Sequence, residues 1–181
     1  MTSHRRLLLT ALTMLTALIL GMPPAQAAPL NPTTDALLDS ANTASRNRDW
    51  HRAVLFGEQL VQRVPHNTSL LISLGMAAQN CAFDSKAVTG NAPNRTTVDR
   101  IAFVKYAFAM FDSASASATS AGERGNAIFS RARLYDVLGF HAEAAVLYRE
   151  VLKLIPDHLP SRVRITAFFA AMRGSTSVPG E

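Results

Sequence analysis

Gly139-Phe140-His141-Ala142-Glu143-Ala144-Ala145-Val146-Leu147-Tyr148-Arg149-Glu150-Val151-Leu152-Lys153-Leu154-Ile155-Pro156 decides the fold, because an earlier stretch is built on the same plan. That stretch is Asp49-Trp50-His51-Arg52-Ala53-Val54-Leu55-Phe56-Gly57-Glu58-Gln59-Leu60-Val61-Gln62-Arg63-Val64-Pro65. Each has an aromatic residue in second place, Phe140 or Trp50, and closes on a proline twelve residues after an alanine, Ala144 or Ala53. In the first, Ala53, Val54, Phe56, Leu60, Val61 and Val64 recur at spacings of three and four, the period of one helix face. Val64-Pro65 and Ile155-Pro156 stop the two helices, since the residue before proline avoids the helical region. A weaker third copy carries Ala102, Tyr106 and Ala109 and lacks the closing proline.

A partner helix precedes each of these. Leu37, Ala41 and Ala44 space the first, Leu71, Leu74, Gly75 and Ala78 the second, and Ile128, Ala132 and Tyr135 the third. The pairs start at Thr34, Thr68 and Gly125. This layout resembles the tetratricopeptide repeat (TPR), a helix–turn–helix unit of about 34 residues. Small residues on the first helix, then Ala144, Tyr148, Val151 and Pro156 on the second, carry the resemblance. It implies an all-α solenoid of about three helix pairs, 34–67, 68–114 and 125–158, with a capping helix at 159–173. The middle pair holds an insertion at 80–98, read as a loop from Gly90, Asn91, Pro93 and Asn94. Extra residues also fall in the Ser/Ala-rich stretch 113–122. The capping helix, with Arg162, Arg164 and Arg173, reads as a solubilising end, and 174–181 as a flexible tail.

The N-terminus is a different kind of segment. Arg5-Arg6 leads into an uncharged apolar run from Leu7 to Leu20, then Gly21, Pro23 and Pro24, then Ala25-Gln26-Ala27. A basic start, a short apolar core and a small-x-small site predict a secretory signal peptide over 1–27, cleaved between Ala27 and Ala28. The apolar run is short for a membrane-spanning helix, which needs about 20 residues. The expectation is a periplasmic or secreted protein with no stable membrane insertion after cleavage. No cysteine precedes Cys81, so a lipoprotein anchor has no attachment point.

The whole chain has 181 residues, 48% hydrophobic and 17% charged, with a formal charge of +5. That apolar content excludes a disordered charged tail protein. Two of the excess positive charges, Arg5 and Arg6, leave with the leader, and no run of five like charges exists elsewhere. Nucleic acid is therefore not an expected partner. One cysteine excludes a disulfide scaffold. His51, His66, His141 and His158 sit at the inter-helix turns and lack chelating spacing, so they read as turn polarity. No metal, cofactor or catalytic set is expected, and the chain reads as a non-enzyme. The enzymatic alternative, an active or accessory subunit, would draw on Cys81, Asp84 and Lys86 beside the insertion.

The resemblance implies that the first helices of the pairs line a concave groove. The residues it places there are Leu38, Asn42 and Arg46, then Ile72, Met76 and Gln79, then Phe129, Arg133 and Asp136. Half apolar and half hydrogen-bonding, such a wall suits an extended or helical peptide. The expected function is a scaffold or adaptor in a cell-envelope or secretion assembly that binds a protein or peptide. Self-association through an open solenoid end is the alternative structural role.

Overall fold

The computed structural model describes residues 32–84 and 97–175. The signal segment with Ala27 and Ala28, the centre of the insertion and residues 176–181 lie outside the described residues. Within them, seven helices and no strands form the body that begins at Thr33. They are α1 (Thr34–Arg46), α2 (Trp50–Arg63), α3 (Thr68–Phe83), α4 (Thr97–Ser117), α5 (Ala121–Val137), α6 (His141–Leu154) and α7 (Leu159–Ser175). Each helix packs on the next in chain order, and α3 also packs on α5. No helix among the described residues is long and apolar enough to cross a membrane.

Local chemistry places most of the helix starts. Thr33, Asp49, Asn67 and Ser120 each accept a hydrogen bond from a backbone N–H of the first turn, which satisfies one of its orphan donors. Ahead of α5, Glu123 reaches back to the Thr119 N–H at 2.8 Å, and this bond holds its carboxyl below the usual range. The ends of α1 and α5 share one turn. Arg48 N–H donates to Ser45 and Asp49 N–H to Ala44, while Gly139 N–H donates to Asp136 and Phe140 N–H to Tyr135. Both are Schellman turns, which place one residue in the left-handed region. Gly139 takes φ +86° without penalty. Arg48 takes φ +58° in the equivalent place, where only an external tie offsets the strain. The tie is Asp84, whose Oδ2 accepts from Arg48 Nε at 2.9 Å and Nη2 at 2.6 Å, and from Trp50 Nε1 at 2.8 Å. One carboxylate at the end of α3 thus clasps the α1–α2 turn.

The middle pair packs in a register different from the expected one. Ala102 and Ala109 are exposed and Tyr106 is half-buried. The buried set is Ala107, Phe111 and Ala114, with the same spacing as the buried Ala144, Tyr148 and Val151. Gly75 is the reason. A Cβ at that position would lie 2.5 Å from Phe111 Cε1, so the bare backbone of α3 is the seat of the Phe111 ring. Tyr106, five residues earlier, hydrogen-bonds Glu58 on α2, and burial followed by that contact pushes its hydroxyl well above the ordinary tyrosine range.

The expected boundaries shift accordingly. Helix α3 runs on to Phe83 and α4 starts at Thr97, so both ends of the expected 80–98 loop are helical. The extra residues of 113–122 are mostly helical: α4 continues to Ser117 and α5 begins at Ala121. On α7, exposed Arg162, Arg164 and Arg173 alternate with apolar side chains. Leu159, Val163, Phe169 and Met172 are all exposed on it.

Candidate functional site

The last turn of α5 places Asp136 where α5, α6 and α7 meet. Its side chain is 20% exposed and holds three neighbours. His141 Nδ1, at the start of α6, lies 2.7 Å from Oδ1, and the Tyr148 hydroxyl donates to Oδ2 at 3.1 Å. Arg164 Nη1 on α7 lies 3.6 Å from Oδ2. A carboxylate oxygen accepts, so this contact is a hydrogen bond when Nδ1 of His141 carries the ring proton. Burial, then the Asp136 charge, pushes the Tyr148 hydroxyl well above its ordinary range. Beside these groups opens a cleft of about 420 Å³, walled by Ala167, Phe168, Ala171 and Met172 of α7.

The nine expected groove residues divide between open and engaged positions. Leu38 and Met76 are 40% and 41% exposed, and Asn42, Arg46 and Arg133 are also open to solvent. Ile72 and Gln79 are half-buried, and Ile72 packs beside Leu71, Ala114 and Ala127. Phe129 is committed to packing: its ring lies 5.8 Å from that of Tyr148 and 4.6 Å from that of His158. Asp136 is committed to its polar cluster. These two are internal ties at the α5–α6–α7 junction.

No protein-family model matches the chain, and no curated protein matches it.

Two of the turn histidines do more than supply polarity. His141 joins the Asp136 cluster, and His158 Nδ1 lies 2.8 Å from Ser161 Oγ, at the start of α7. Sequence reasoning missed both, and missed Arg164 and the α7 wall. Their partners lie across turns or on other helices, so no local spacing marks them. Of the residues named for the enzymatic alternative, Cys81 and Asp84 hold structural places. Cys81 is 0% exposed in the core with Ala78, Ala107 and Phe111, Asp84 serves the α1–α2 turn, and Lys86 lies outside the described residues. Among the described residues no group of three or more His, Cys, Asp or Glu side chains is placed to hold a metal.

Burial gives Cys81 a measurable signature. A thiol reagent at neutral pH should react with native protein only as fast as the core opens, and at the full rate in denaturant. Rapid labelling of native protein, checked by mass spectrometry, would place Cys81 at the surface instead.

Proposed function

We propose that this chain is an exported, TPR-like adaptor that binds a protein or peptide segment along its first helices, in a cell-envelope or secretion assembly. The observation that carries the reading is the two-sidedness of those helices. Leu37 and Ala44 of α1, Leu71, Leu74, Gly75 and Ala78 of α3, and Ile128 and Ala132 of α5 are buried. On the same helices Leu38, Asn42, Arg46, Met76 and Arg133 stay open. Apolar anchors among polar groups are what a peptide-binding wall requires. The neighbour-to-neighbour packing order and the shared Schellman turn support the repeat reading. The leader with Arg5, Arg6 and Ala25-Gln26-Ala27 supports export.

The test is crosslinking in the native envelope with mass-spectrometric identification, wild type against Met76→Glu and Leu38→Glu. The proposal expects a defined partner with wild type, at least a tenfold loss with either variant, and unchanged helical circular dichroism. A partner set indifferent to both substitutions overturns it. Self-association is a second reading, favoured by the exposure of Leu159 and Val163 on α7, 67% and 56%. The same helix carries Arg162, Arg164 and Arg173, of which Arg162 pairs with Asp157 and Arg164 with Asp136.

A further inference from the structure

We propose that the cleft between α5, α6 and α7 binds a small amphipathic carboxylate, a medium-length alkyl chain or aryl group ending in one carboxyl. The volume, about 420 Å³, falls within the range of small-molecule sites, roughly 300–1,000 Å³. Its wall is apolar over two turns: Ala167 and Ala171 stack one above the other, as do Phe168 and Met172, at the four-residue spacing of one helix stripe. Polar groups gather at one end only, where Asp136, His141 and Arg164 stand. A ligand that matches this layout has an apolar body and a single polar head.

Charge decides the sign of the head. Asp136 has one oxygen against His141 Nδ1 and the other accepting from the Tyr148 hydroxyl. Arg164 keeps its donors available: the Asp136 pair is long, at 3.6 Å, and the side chain is 57% exposed. A guanidinium presents five N–H donors in a planar fork that fits a carboxylate with two parallel bonds. An anionic head gains the open fork of Arg164, whereas a cationic head meets that guanidinium beside an Asp136 that Tyr148 and His141 already contact.

The inference is independent of the partner proposed for the first helices, and one titration separates the two. The full chain is titrated with decanoate below its micelle concentration, by calorimetry and by NMR of the Met172 methyl group. Saturable one-to-one binding with a Met172 shift is the expected result. Arg164→Gln should weaken binding at least tenfold, and Ala171→Leu, which fills the cleft from an exposed position, should do the same. Decanol and decyltrimethylammonium should each bind at least tenfold more weakly than decanoate. Met76→Glu should leave decanoate binding unchanged. The proposal is overturned if decanoate does not saturate at millimolar concentration. It is overturned equally if Arg164→Gln and Ala171→Leu bind as wild type, or if the cationic analogue binds as tightly as the acid.

Discussion

Gly75→Ala should destabilise the protein by about 3 kcal/mol, at the upper end of what overpacking costs. For a chain of this size that corresponds to a melting temperature lower by roughly 6–12 °C. The added Cβ would lie 2.5, 2.8 and 3.1 Å from three atoms of the Phe111 ring. Phe111 is 1% exposed, on a helix packed against both α3 and α5, so the ring has no room to withdraw. Phe111→Leu in the Gly75→Ala background should recover part of the loss, because a shorter side chain clears the new methyl. Thermal unfolding of the two single variants and the double measures this coupling directly. Additive effects would mean that the ring and the glycine do not meet.

Tyr148→Ala should cost about 3–5 kcal/mol, the range for deleting a buried aromatic ring. The side chain is 2% exposed and fills the space between α5 and α6 beside Ala132 and Ala144. Tyr148→Phe keeps the ring and removes only the hydroxyl bond to Asp136, so about 1–2 kcal/mol is expected. The pair of variants separates packing from hydrogen bonding in chemical denaturation. The hydroxyl also has a pH signature. Its folded-state pKa is raised above the value of about 10 that the unfolded chain shows. The unfolded state therefore ionises first. This contribution is complete below pH about 10 and declines as pH rises above it. Tyr106, raised for the same main reason, adds to the decline. Tyr148→Phe should flatten the alkaline loss, and absorbance at 295 nm should show tyrosine ionisation delayed until the protein unfolds.

Much of the fold was legible because its markers are local. Val64-Pro65 ends α2 within a residue of where it stops, and Asp49, beside the Trp50 start, caps it. Gly75 was recognisable as a close-approach position. What it approaches was not. Ala102-Tyr106-Ala109 and Ala107-Phe111-Ala114 have the same spacing of four and three. In an alanine-rich helix both registers satisfy the pattern, and only the facing surface of α3 chooses between them. The clasp on Asp84 was hidden for a related reason. Arg48 stands where glycine or asparagine would announce a left-handed turn, so the turn left no mark in the sequence. At the α5–α6–α7 junction, Asp136 was singled out, but for a groove. Its partners Tyr148 and Arg164 lie on two other helices, and the cleft exists only once α7 has docked.

The docking order has a consequence for how the body opens. Packing runs mainly between consecutive helices, and one buried cluster with Ala44, Ala53, Leu74, Phe111 and Leu134 joins α1 through α5 without reaching α7. Helix α3 is held by α2, α4 and α5, whereas α7 is held mainly by α6. The free energy of opening therefore rises from the C-terminal helix toward the middle of the chain. The helix that walls the cleft is the one most easily released. A molecule lodged against it adds its binding free energy where the body has least to spare, and ties the loosest junction to the rest.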